Sequence, residues 1–342
     1  MLYTAFFAYG FGTGRFGGNT DLCNYRPEQS IIEILQRYAW TDSLGWAILN
    51  IWIKNFWVGP VLVALIFSYG LFSLISTMFE PSGRGKRLPN SIWPTFFCVV
   101  FLIGSWPFYV YMTNALRQGL AMGLVLLLIN NLLNCEKRII WGMKLFLLLM
   151  APLFIHRVGT LYVFLLLIGM VIGFLLEICF RNFSMKIIFL FVFSFFSSFM
   201  IISLTQISSE SAGQNTGINL SEILAAFSVF GVVFIAFFAF GKNSILENFA
   251  IDYGFKNHLV PFGIFYVSLC LAFLIIFSSS NEIVSERLFA LYVVASLPIY
   301  FSFFRSIRVR KIIALFAFFL MFMLTSASYI FHDSFDFNEN YG

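Results

Sequence analysis

Three arginines, one histidine and a few carboxylates are the groups in this chain whose types and spacing suit chemistry. Arg117 lies in the run Asn114-Ala-Leu-Arg117-Gln118-Gly-Leu-Ala121. Positions 114, 117, 118 and 121 share one face of a helix. An amide, a guanidinium and a second amide therefore project together, and Gly119 and Ala121 admit a close neighbouring helix. Such a group grips a phosphate or carboxylate through paired N–H bonds; a polar helix–helix seam is the structural alternative. His156 lies in Ile155-His156-Arg157-Val-Gly159-Thr160-Leu-Tyr162, where His156 and Thr160 share a face at i, i+4. An imidazole takes up a proton near neutral pH, and Arg157 sets a fixed cation beside it. The plainer reading is an interfacial histidine satisfied by its surroundings. Glu286-Arg287 opens another apolar run, with Tyr292 five residues past Arg287 and off its face. Glu286 either neutralises Arg287 or serves as a base. Finally, Arg15-Phe-Gly-Gly-Asn-Thr-Asp21-Leu-Cys-Asn24-Tyr25 carries a carboxylate on a glycine-rich loop, where a solvated aspartate is the default.

The elements that must position these groups follow from composition. Hydrophobic residues make up 60% of the 342 positions and charged residues 11%, too few to cover a water-facing globule. The apolar residues come in blocks of about 17 to 25, the length that spans a hydrocarbon core as a helix. No strand-like alternation is present, so an all-α polytopic membrane protein is expected rather than a barrel. The spans read as Leu2–Gly14, Trp57–Phe79, Ile92–Tyr111, Ala115–Leu133, Ile139–Ile155, Gly159–Phe180, Ile187–Ile207, Ile223–Phe240, Leu259–Phe277, Leu288–Phe304 and Ile312–Ile330. That is about 11 transmembrane helices, with a range of about 10 to 12, in a single transmembrane domain over 1–342. Leu2–Gly14 is short for a span and lacks a preceding base, so a short or truncated first span is expected rather than a signal peptide.

Basic residues set the expected orientation. Arg84, Lys86 and Arg87; Lys137 and Arg138; Arg181 and Lys186; Lys242 and Lys256; and Arg305, Arg308, Arg310 and Lys311 punctuate alternate ends of the apolar blocks. These ends are cytoplasmic by the positive-inside rule. The N-terminus is then cytoplasmic, and the C-terminal tail, with Asp333, Asp336 and Glu339, lies outside. Arg117, Arg157 and Arg287 fall on the opposite, base-poor side. An arginine at depth costs about 2.5 to 3.5 kcal/mol, which predicts a partner or a wet cavity. The outer segment at about 15–56 contains Ile31, Ile32, Ile34, Leu35 and Tyr38 at helical spacing, and it is expected to hold an amphipathic surface helix. Trp40, Trp46, Trp52 and Trp57 are interfacial anchors there, with sugar stacking as the functional alternative.

Several classes are set aside. The formal charge of +5 is spread between spans, so no nucleic-acid partner is expected. Cys23, Cys98, Cys135, Cys179 and Cys270 are scattered, and no nucleotide-binding fingerprint or metal-ligand spacing appears. No metal and no cofactor is expected.

Taken in order, Gly18–Tyr25, Asn114–Ala121, Ile155–Tyr162 and Glu286–Tyr292 resemble the EpsG/Wzy-like family of bacterial O-antigen and exopolysaccharide polymerases. The span count agrees over nearly the whole chain, although the first span is short and Leu-Cys follows Asp21 where the family more often has an aromatic residue. The resemblance implies a membrane glycosyltransferase of the inner membrane that polymerises polyprenyl-diphosphate-linked oligosaccharide repeat units on the outer face. For that reaction catalysis is expected of His156, Arg157, Arg117 and Asp21, with His156 as the candidate base and Asp21 as a candidate for acceptor binding or base. Binding of diphosphate and sugar falls to Arg287, Gln118, Asn114, Arg15, Glu286 and Tyr292. The lipid bilayer, a chain-length regulator and a flippase are the implied partners, in biosynthesis of surface polysaccharide or lipopolysaccharide. The competing readings are a lipid-linked oligosaccharide flippase, a non-catalytic subunit of a glycan assembly complex, an O-antigen ligase and a membrane acyltransferase.

Overall fold

The computed structural model describes residues 45, 49, 58–79, 116–133, 139–180, 183–205, 259–278 and 288–298. Among these residues every regular element is helical. The helices are α1 (Val58–Phe79), α2 (Leu116–Leu133), α3 (Ile139–Ile155), α4 (Arg157–Cys179), α5 (Phe183–Thr205), α6 (Leu259–Phe277) and α7 (Leu288–Pro298). The expected spans Leu2–Gly14, Ile92–Tyr111, Ile223–Phe240 and Ile312–Ile330 lie outside the described residues, as does the 15–56 segment apart from Gly45 and Leu49.

Long apolar helices with an apolar exterior are what lipid selects, because the backbone satisfies itself within each segment. Leu116–Leu133, Arg157–Cys179 and Met185–Ser203 are long and apolar enough to cross a membrane. Val61–Thr77, Gly142–Ile155, Phe262–Phe277 and Leu288–Pro298 are shorter apolar helices. Along α4, the side chains of Phe164, Leu167, Val171, Phe174 and Ile178 are exposed and fall on one helical stripe. On α5, Ile188, Phe195, Phe196, Phe199 and Met200 are exposed as well. A water-facing helix would place polar residues there, so these stripes fit lipid.

The chain divides into two compact units. The first comprises Met1–Thr77, Ser91–Val163 and Tyr329–Gly342. In it α1 and α2 run parallel. Val63 packs with Leu120, Gly70 lies against Gly123, and Thr77 meets Asn130. A Cβ on Gly70 would come 2.7 Å from the Gly123 carbonyl oxygen, and one on Gly123 would come 3.0 Å from the backbone of Phe67. Only paired glycines allow this approach, which recovers dispersion energy where lipid supplies no hydrophobic drive. Toward the other end of the pair, Asn130 donates to the Ser73 hydroxyl at 2.6 Å and accepts from the Thr77 hydroxyl at 2.6 Å. The C-terminal end of α3 returns to the start of α2, since Ile155 packs with Leu116 and Leu120.

The second unit comprises Met78–Asn90 and Phe164–Ser328. It repeats the device with other residues. Gly169 and Gly263 bring α4 and α6 into near-backbone contact, a Cβ at Gly169 falling 2.9 Å from the Gly263 Cα. Between α5 and α6, Ser198 donates to the Ser194 and Cys270 carbonyls at 2.8 and 3.0 Å, and Tyr266 donates to Ser197 at 2.5 Å. These hydroxyls fill their valence within the helix pair. Phe191, Phe195, Phe273 and Phe277 then interlock edge to face beside the polar seam.

Candidate functional site

The first unit brings two of the expected motifs to one end of its helices. Arg117 and Gln118 stand in the first turn of α2. Their helical neighbour Ala121 is fully buried in a cluster with Val63, Leu116, Leu120 and Ile155, against which Leu49, Ile66 and Leu124 pack. Ile155 immediately precedes His156, so an apolar floor ties the turn carrying Arg117 to the turn carrying His156 and Arg157. Gln118 is 6% exposed, and the Nε of Arg117 is buried. Arg157 is exposed at the first position of α4.

Both guanidinium groups thus sit at helix N-termini, where the backbone dipole is positive and a cation is disfavoured. Neither first turn contains an acidic residue. Each of these turns carries a side-chain cation at the positive end of its helix, an arrangement suited to a polyanion.

His156 occupies a sharp bend. In a straight helix, residues seven apart are separated by roughly 10 Å. Here a Cβ at Gly159 would fall 2.7 Å from the carbonyl oxygen of Pro152, and the Thr160 hydroxyl donates to the Leu153 carbonyl at 3.2 Å. The chain bends sharply at a single non-helical residue, His156. Its backbone N–H donates to Pro152 at 3.4 Å, and its carbonyl accepts from Gly159 and Thr160 at 2.9 and 3.2 Å. Its Nδ1 accepts from the Val158 N–H at 3.1 Å. His156 is therefore the N-cap of α4, a place usually taken by Ser, Thr, Asp or Asn.

This corrects the expected helical face shared by His156 and Thr160. His156 precedes the helix, and the Thr160 hydroxyl turns back to Leu153. The sequence signal lay in Pro152 four residues before His156 and Gly159 three after it. A further polar group emerges at Tyr162, whose buried hydroxyl has no hydrogen-bond partner among the described residues.

Tyr292 lies in the second unit, buried within α7 and tilted against Phe289 at 6.4 Å between ring centroids. Asn114, Arg15, Asp21, Glu286 and Arg287 lie outside the described residues. Among the described residues no group of three or more His, Cys, Asp or Glu side chains is placed to hold a metal ion.

Membrane-length apolar helices, lipid-suited exteriors and arginines in the first turns of two helices define a polytopic helical membrane protein with a candidate anion site. The chain matches the EpsG family over residues 1–341 and belongs to it. That is an exopolysaccharide and O-antigen polymerase-like family, associated with glycosyltransferase-like polymerase activity, and a lipid-linked sugar substrate fits it. No curated protein and no solved structure matches the chain.

Proposed function

We propose that this protein polymerises polyprenyl-diphosphate-linked oligosaccharide repeat units into surface polysaccharide on the outer face of the cytoplasmic membrane. The observation that carries the reading is the apolar cluster of Leu116, Leu120, Ala121 and Ile155, which sets Arg117, Gln118, His156 and Arg157 at one end of the α2 and α3 pair. In the reaction, a sugar hydroxyl of an incoming unit attacks the anomeric carbon of the growing glycan. The bond from that carbon to the diphosphate oxygen breaks, and the electron pair leaves with the polyprenyl diphosphate. The leaving group is already activated and membrane-anchored, so the protein must stabilise its charge and accept one hydroxyl proton.

Arg117 and Arg157 bind the diphosphate, with Gln118 and Asn114 orienting it. Arg287, Arg15, Glu286 and Tyr292 complete the binding set, and Asp21 is the carboxylate available as proton acceptor. His156 acts on the same substrate. The outer-face assignment rests on the base-poor loops at this end of the helices.

The test is reconstitution of purified protein with lipid-linked repeat units. Wild type is expected to yield a ladder of polymer lengths, and Arg117→Ala is expected to leave single units. Movement of the lipid-linked unit across vesicles without elongation would instead identify a flippase. Unchanged ladders from the Arg117→Ala and Arg157→Ala variants would remove these residues from the site.

A further inference from the structure

The hydrogen bond from Val158 to the imidazole fixes more than the start of α4. A backbone N–H is always a donor, so the Nδ1 that faces it must present a lone pair. A neutral imidazole has one N–H, and here that proton lies on Nε2. For His156 to accept a proton at Nε2, its own proton would have to move to Nδ1, where it would oppose the Val158 N–H. The imidazolium creates the same opposition. The backbone of the residue is held at Pro152 and at Gly159 and Thr160, and the ring itself is held by the Val158 bond to Nδ1.

We infer that His156 serves the transfer step as a hydrogen-bond donor, through Nε2, to a phosphate oxygen of the polyprenyl diphosphate, and not as the proton acceptor. This rests on the polymerase reading above and assigns the histidine its part in it. The Nε2 proton stays on nitrogen throughout. It stabilises the negative charge that grows on the departing oxygen as the anomeric bond breaks, while the acceptor hydroxyl gives its proton to a carboxylate. Arg157 is adjacent in sequence, and Ile155 shares an apolar cluster with Leu116 and Leu120 from the turn carrying Arg117, so the donor has one cation beside it and the turn of a second on the same floor. The imidazole thereby links the fold to the chemistry. One nitrogen caps α4 and the other faces the leaving group.

Two measurements test it. In protein labelled with 15N at histidine, the signal lost in His156→Gln identifies the ring. Its Nδ1 is expected to be unprotonated and its Nε2 protonated at neutral pH, and the Nε2 proton should move downfield when polyprenyl diphosphate is added. A proton found on Nδ1, or an Nε2 signal indifferent to polyprenyl diphosphate, overturns the inference. In reconstituted elongation, His156→Gln places an amide N–H near the position of Nε2 and should stay within roughly tenfold of wild type. His156→Asn keeps an oxygen near the Nδ1 position to cap α4 but cannot reach the substrate. It should fold normally and fall about a hundredfold or more, as when one oxyanion donor is lost. The pH–rate profile of His156→Gln should match that of wild type. Loss of a titrating limb in that variant, or activity as low as in His156→Ala, would restore the base role.

The two readings fail separately. A wild-type ladder with an unmoved Nε2 signal sinks the donor and keeps the polymerase. An Nε2 shift with no ladder keeps the diphosphate donor and sinks polymerisation.

Discussion

Arg117 and Arg157 place positive charge in the turns where a helix disfavours it, and a diphosphate would repay that cost by bidentate contact. Replacing Arg117 by Lys keeps the charge and discards the planar fork. Elongation of lipid-linked repeat units is expected to fall about tenfold in Arg117→Lys and about a hundredfold or more in Arg117→Ala, the loss of a hydrogen bond to a charged group. Equal rates for Lys and wild type would show that point charge alone suffices. Tyr162 poses the opposite case. Its hydroxyl is buried without a partner among the described residues, a polar atom left unsatisfied there. Tyr162→Phe should leave unfolding in detergent unchanged or raise stability by about 1 kcal/mol. A clear loss of stability would mean that the hydroxyl is paired in the membrane-embedded protein.

The helices that hold these residues were legible in the sequence to different degrees. Ile139–Ile155 and Leu259–Phe277 form helices over the residues that hydropathy assigns. The span expected from Gly159 begins two residues earlier, at Arg157, and the one expected from Ile187 begins at Phe183. Hydropathy stops at charge, whereas a helix continues into the interface as long as its first N–H groups find partners, which His156 supplies for α4. The approach of α1 to α2 was less legible. Gly70 and Gly123 lie far apart in sequence, and nothing local pairs them. Gly70→Ala would press its Cβ on the Gly123 carbonyl, where only backbone can give way. The expected cost is about 1 to 3 kcal/mol, read as a lower unfolding midpoint in detergent. Elongation should fall as well, because α1 and α2 support the apolar floor beneath Arg117. The polar seam at the other end of the pair separates the two effects. Asn130→Ala removes its bonds to Ser73 and Thr77 and should cost about 1 kcal/mol, with elongation retained at a temperature where the variant stays folded.

At the scale of the whole chain, helix directions offer a check on topology. Parallel α1 and α2, with α3 returning toward the start of α2, is the relative sense required when basic loops alternate with base-poor ones. If Arg84, Lys86 and Arg87 face the cytoplasm, then the ends carrying Arg117 and His156 face outside, the side on which the positive-inside rule expects the base-free Ser208–Ser221 segment. The mechanism needs that side. A glycan on a polyprenyl diphosphate must meet its acceptor where translocated units accumulate, and a site facing inward would serve a different reaction. In a chain whose five native cysteines are replaced by alanine, a single cysteine at Ser82 or at Ser211 separates the two arrangements. A membrane-impermeant thiol reagent added to intact spheroplasts is expected to label Ser211→Cys and to spare Ser82→Cys until the membrane is opened. The reverse pattern would turn the electropositive helix ends toward the cytoplasm. The proposed diphosphate site would then face the cytoplasm, and polymerisation of exported units would lose its site.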